Sequence, residues 1–236
     1  MAAFKDYLNF LAMAVVANEN IPVPVPGEME DAKDYDEPGK KVPVTYLTRD
    51  YPKLARLPEA FLADHPYSRK REAVRLLYAR ALYAASRPHV REKFAVWPES
   101  GHFESGKVVV THRQQPFDPR KIGAALNAYD REFPQGRYAG EIRNLRGLLA
   151  WRTQDWPLAL DLTLQTLADT HDAVLQEDAR RRLTNIFVDG LTDETERGRC
   201  LAAIKTRPAA VDKLRTFLPK SPFALRVLTD WTLAQL

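Results

Sequence analysis

A single cysteine, Cys200, stands in the 236 residues, so no intramolecular disulfide can form and the redox compartment stays open. Its neighbours Leu201 and Ala202 point to a buried, inert thiol. The chain also lacks any run of about 18 apolar residues, so no span of a bilayer is expected. Paired carboxylates, a Ser-His-Asp arrangement or a helical His-x-x-x-His are missing too, and no catalytic constellation is read from the sequence. His89, His102, Glu104 and His112 fall close together, but without zinc-ligand spacing. The acids between Glu28 and Glu37 lack the ordered spacing of a calcium loop. No metal or cofactor is therefore expected.

What the chain does have is charge and helical periodicity. Hydrophobic residues make up 45% and charged residues 28%, ordinary for a chain that folds in water. The charge is unevenly spread. Residues 1–50 hold 5 Lys and Arg against 9 Asp and Glu, a net of −4, which leaves 30 against 22, a net of +8, for the remainder. The basic residues are scattered over many helices, the pattern of a solvated surface, so nucleic acid is not the expected partner.

The most legible stretch runs from Ala124 to Ala168. Pro134 ends a helix closed by Tyr129 and Phe133, since the residue before a proline is pushed out of the α region. Gly136 allows the turn, and a second helix over about 137–152 carries Ile142, Leu145, Leu148 and Leu149 on one face. Asp155 then caps a third helix, with Pro157 in its first turn and Trp156, Leu160, Leu164 and Leu167 as its stripe. Two antiparallel helices with one stripe each need neighbours to bury it.

The same turn occurs earlier. Aligning Pro66 on Pro134 sets Phe61 on Tyr129, Ser68 on Gly136, Ala79 on Gly147 and Tyr83 on Trp151, an internal repeat at an offset of 68 residues. That offset is twice the period of about 34 found in tetratricopeptide repeats. Pro219 and Ser221 repeat the turn a third time.

Around these repeats the chain divides into three. Residues 1–20 read as a helix with the stripe Phe4, Leu8, Leu11, Val15, against a competing reading as a secretory signal. Residues 21–50 read as a Pro-rich and acidic arm, extended over Ile21 to Pro26, with 27–41 expected to be poorly ordered or to lie over basic helices of the same chain. Residues 51–236 form the repeat domain, interrupted at 87–118 by an insertion whose strands are expected at Lys93–Trp97 and Lys107–His112. Further along, Gly190 is expected to stop a helix, and Arg180, Arg181 and Arg182 to form a solvated basic face.

The run Tyr129, Phe133, Pro134, Gly136, Tyr138, Ala139, Gly147, Ala159 resembles tetratricopeptide-like proteins, and is similar to bacterial envelope members of the outer-membrane-assembly and Tol-coordinator type. The resemblance covers about 57–85 and 124–168 and places Gly147 opposite Ala159 across a helix pair. It implies an all-α fold, an α-solenoid of antiparallel helix pairs with a small irregular or hairpin insertion. It also implies a non-catalytic scaffold that binds a partner peptide or protein in its groove. The alternatives are a helical accessory domain of a larger cell-wall or envelope enzyme or assembly, and a nucleic-acid-binding helical domain. Trp97, Phe103 and Arg113 of the insertion are expected to contact the partner. Arg143 and Arg146, which stand where large apolar residues are usual in such repeats, are expected to do so as well. The last helix, from Ser221, carries Ala224, Val227, Leu228, Trp231 and Ala234 as one stripe, with Leu233 off it, and is expected to support a weak homodimer. A cytoplasmic or a periplasmic compartment fits equally.

Overall fold

The computed structural model describes residues 2–31, 40–92, 95–96, 103–104 and 108–217. The chain divides into two compact units, Met1–Asp118 and Pro119–Leu236. The described residues are mostly helical, and no helix among them is long and apolar enough to cross a membrane. The expected helix after Ser221, and with it the stripe proposed for self-association, lies outside the described residues.

The first unit opens with α1 (Ala2–Asn18), then β1 (Ile21–Asp31) and β2 (Lys41–Thr48), followed by α2 (Tyr51–Asp64) and α3 (Arg71–Ala85). Residues 21–50, read from sequence as an arm, hold an antiparallel two-stranded ladder in which Val23 faces Tyr46 and Glu30 faces Val42. The reason is alternation. Val25 and Val44 are buried and Val23 and Val42 half-buried, while Pro22, Pro24 and Pro43 take exposed positions between them. A two-stranded ladder tolerates these prolines because a missing N–H on a strand edge needs no partner. Gly27, at φ 75°, sits inside the register shift between Pro24 and Met29.

Asp50 caps α2, its carboxylate accepting from Lys53 N at 3.0 Å, and Pro52 stands in the first turn, where its missing N–H costs little. The antiparallel partner α3 buries Val74, Leu76, Tyr78, Ala79, Ala81 and Leu82. Tyr78 Oη donates to Glu59 Oε1 at 2.6 Å, and burial followed by this bond raises the phenol pKa.

The insertion then forms β3 (His89–Glu92), β4 (Ala95–Val96), β5 (Phe103–Glu104) and β6 (Val108–His112). The strand partnership expected for 93–97 with 107–112 is corrected. β6 pairs instead with β3, so that His89 faces His112 and Arg91 faces Val109, and β4 pairs with β5. A tight pairing of 93–97 with 107–112 would leave His89 to Glu92 without a ladder partner. The observed registers give both segments one.

The second unit consists of α4 (Pro119–Glu132), α5 (Ala139–Arg152), α6 (Trp156–Asp169), α7 (Ala173–Thr192), α8 (Arg197–Lys205) and α9 (Pro208–Phe217). Each helix packs on the next. α5 also touches α7, and α6 also touches α8 and α9. One core runs through Trp156, Leu160, Leu183, Ile186, Phe187, Leu191, Ile204 and Leu214. Asp155 and Asp172 cap α6 and α7 through bonds to Leu158 N and to Val174 N and Leu175 N.

Three expectations for this unit are corrected. Arg182 is not solvated but only 1% exposed: Nε donates to Thr163 Oγ1 at 2.7 Å, and Nη1 to Asn144 O at 2.9 Å and Asn144 Oδ1 at 2.6 Å. Arg180 and Arg181 point outward to Glu177, because consecutive helical positions diverge by about 100°. The nearest atoms to a side chain at Gly147 belong to Arg182, at 2.7 Å for Cζ, rather than to Ala159. Lastly, Gly190 does not stop α7, which runs on to Thr192. It lies inside the helix where Cys200 of α8 packs against its backbone and leaves no room for a Cβ.

Candidate functional site

The turn repeated in sequence is repeated in hydrogen bonds. Between α2 and α3, His65 N donates to Phe61 O at 2.9 Å, Ser68 N to His65 O at 3.2 Å, Arg71 N to Ser68 O at 3.2 Å and Val74 N to Lys70 O at 3.0 Å. Between α4 and α5 the corresponding bonds are Phe133 N to Tyr129 O at 2.8 Å, Gly136 N to Phe133 O at 2.9 Å, Ala139 N to Gly136 O at 3.1 Å and Ile142 N to Tyr138 O at 3.0 Å. The ring pairs match as well, Phe61 with His65 at 4.7 Å and Tyr129 with Phe133 at 5.5 Å. A proline that breaks the first helix and a following residue able to turn thus produce the same corner twice.

In the first unit this corner is covered by α1, and the contact is specific. Ser68 Oγ donates to Asp6 Oδ1 at 2.9 Å, the Asn9 amide donates to His65 Nε2 at 3.0 Å, and Lys70 Nζ stands 5.2 Å from the centre of the Phe10 ring. Met13 is buried beside Phe61, Leu62 and Val74. The face expected to pack is therefore the wrong one. Leu8, Leu11 and Val15 are 47%, 39% and 66% exposed, and the side chain of Phe4 lies outside the described residues. The helix carries two apolar stripes, and the one that also offers Asp6 and Asn9 to the polar groups of the corner is the one that docks.

Beside this contact lies a cleft of about 630 Å³ between the start of α1 and the corner. Tyr7 and Tyr67 flank it, Tyr67 almost wholly in solvent at 97% exposure, with Pro66 between helix end and turn. Asp64 and Arg69 bring one charge of each sign, and both are exposed. Within it the Ser68 hydroxyl is engaged by the Asp6 carboxylate and the His65 ring nitrogen by the Asn9 amide. Two exposed rings, Tyr7 and Tyr67, thus stand beside the helix corner.

The residues singled out in sequence are not brought together here. Trp97 lies outside the described residues, and Phe103 faces Val96 in the β4–β5 ladder, its side chain outside the description. Arg113 is exposed just after β6. Arg143 and Arg146 are half-buried and engaged within their own unit, Arg143 with Asp169 at 2.7 Å and Arg146 with Asp130 and Asn127. Cys200 is fully buried, its thiol 3.7 Å from Ile186 O, and burial together with the charge of Glu196 pushes its pKa up to about 12. Tyr7 and Tyr67 were missed by the sequence reading, although Tyr67 sits inside the repeated turn, at a position where no helix face can shelter it.

No family model, no curated protein and no solved structure gives a significant match to this chain.

Proposed function

We propose that this chain is a non-catalytic protein-interaction scaffold of the helical-repeat kind, which receives an extended peptide segment of a partner protein. The observation that carries this reading is the pair of exposed rings, Tyr7 and Tyr67, at the mouth of the cleft beside the α2–α3 corner. Tyrosine is enriched at interfaces because it offers a large rigid surface and a polar tip at small entropic cost. The repeated corner and the next-but-one helix contacts of α5 to α9 support the repeat-type architecture, in which such grooves bind peptides. The exposed Leu8 and Leu11 of α1, following Tyr7, extend the apolar path away from the cleft.

The test is selection from a displayed library of random peptides on the purified chain and on its Tyr7→Ala/Tyr67→Ala variant. Both rings are substantially exposed, so the variant folds as wild type, and it is expected to lose the enriched sequences. Enrichment of the same sequences on both proteins, or of none on either, overturns the reading.

A further inference from the structure

In the ladder of β1 and β2, prolines decide what each outer edge can do. Successive residues of an antiparallel strand alternate between those that bond the partner strand and those whose N–H and C=O point away from it. Proline has no N–H to give, and within sheets it takes the second kind of position. Pro22 and Pro24 therefore assign their register partners Leu47 and Thr45 to outward-pointing positions as well. Pro43, on β2 and across the register shift, falls on the same alternation as Thr45 and Leu47.

The two edges are consequently unlike. On β1 every second residue from Pro22 to Pro26 is a proline, so the edge has no outward donor at these positions. On β2 the Thr45 and Leu47 amides point outward. Among the described residues β2 pairs with β1 alone, and neither Thr45 nor Leu47 has a hydrogen bond outside that ladder. An edge with unpaired N–H and C=O groups is a template for a further strand, and proline on an edge prevents one. Two strands alone are also marginal in water, which a third strand relieves.

The solvent-facing side of the ladder is uncharged. Pro22 is opposite Leu47, Pro24 opposite Thr45 and Met29 opposite Pro43, all of them exposed. A strand added to β2 sets every second side chain beside Thr45 and Leu47 on this side, where apolar residues gain most. Arg49, exposed and just beyond the strand, places a positive charge at the end of the edge. A second copy of β2 has no answer to that charge, because Lys41–Thr48 contains no acid. We infer that the β2 edge takes up an extended segment of another protein by antiparallel strand addition. The segment carries apolar residues at alternate positions and, two residues before the one that faces Leu47, an acid for Arg49. This site does not depend on the cleft at Tyr7 and Tyr67.

The full chain is titrated with the end-capped peptide Ser-Glu-Thr-Ile-Thr-Val-Ser and followed by ¹H–¹⁵N NMR. Saturable shifts of the Thr45 and Leu47 amides are expected, with slowed hydrogen exchange at both. N-methylation of the peptide's Ile amide, which faces β2, is expected to weaken binding by about tenfold or more. N-methylation of the Thr between Ile and Val, whose amide faces away, should leave it unchanged. Thr45→Pro removes an outward N–H and should likewise weaken binding. Arg49→Gln, or Lys in place of the peptide's Glu, should weaken it severalfold, while Arg80→Gln, which changes an exposed cation on α3, should have no effect. The methylated peptides keep the test valid if Thr45→Pro fails to fold. No saturable shift up to millimolar peptide, equal weakening by the two methylations, or undiminished binding of the Lys peptide overturns the proposal. Shifts of Thr45 and Leu47 that grow with protein concentration alone assign the edge to a second copy and overturn it as well.

Discussion

The guanidinium of Arg182 on α7 lies flat against the backbone of Gly147 on α5, so close that a Cβ at 147 would stand 2.7 Å from Cζ and 2.9 Å from Nε. The missing side chain on one helix makes the space for the charged one on the other. Around it Thr163 of α6 and Asn144 of α5 accept the guanidinium's hydrogens, and Asn144 Nδ2 in turn donates to Asp178 Oδ2 at 3.3 Å. Three helices are thereby fastened at one buried polar point, and a charge so buried is costly unless its hydrogen bonds are met.

Gly147→Ala is accordingly expected to destabilise the protein by about 1 to 3 kcal/mol, because the guanidinium must move and break bonds to do so. Paired with Arg182→Met, which withdraws the clashing group, the same glycine substitution should cost clearly less than it does alone. Chemical denaturation of the four proteins of this cycle provides the measurement, and additive losses would show that the two residues do not compete for the space.

Gln154 holds a left-handed conformation, φ 57°, directly after α5. Gln154 N donates to Trp151 O at 3.0 Å and Asp155 N to Ala150 O at 2.9 Å, the paired bonds of a Schellman ending, in which glycine is the usual occupant. Gln154→Gly should therefore raise stability by up to about 1 kcal/mol, against the general trend that glycine weakens a fold. A lower melting temperature for this variant would contradict the assignment of the ending.

The Cys200 thiol, buried and with its pKa pushed up to about 12, is expected to resist a thiol-reactive disulfide reagent at pH 8. Its labelling rate should equal the rate of opening measured by hydrogen exchange at α7 and α8. Immediate stoichiometric labelling of the native protein would refute its burial. For the same reason Gly190→Ala, which sets a methyl into the Cys200 side chain, should accelerate labelling.

Asp161 and Arg207 form a two-pronged pair, Nε to Oδ1 and Nη2 to Oδ2, each at 2.7 Å. The hydrogen bonds from Arg207 hold the Asp161 pKa below its ordinary value, partial burial opposing them. Because the folded-state pKa is depressed, the stabilisation is complete above the unfolded pKa of about 3.9 and disappears as pH falls through the lower folded value. Asp161→Asn should thus cost stability at pH 7, by less than about 1 kcal/mol since the carboxylate is 48% exposed, and match wild type in strong acid. A penalty that stays constant down to pH 2 would assign the loss to packing.

Much of the local structure could be read from residues within one or two turns of one another. The corners at Pro66 and Pro134, the cap Asp155 and the stripe of Trp156 and Leu160 depend on the stereochemistry of proline, on short side-chain bonds to nearby amides and on helical period. Those are contacts a sequence specifies by itself. What tertiary structure alone decided is which of several chemically adequate faces is buried. α1 had two apolar stripes, and Ser68 and His65, more than fifty residues away, selected the one with Asp6 and Asn9. Three consecutive arginines looked equally solvated until Gly147, Thr163 and Asn144 made a place for Arg182. The valines of residues 21–48 required a second strand before their alternation meant burial. The cleft at Tyr7 and Tyr67 belongs to the same class, since it is assembled from segments whose adjacency no local pattern encodes.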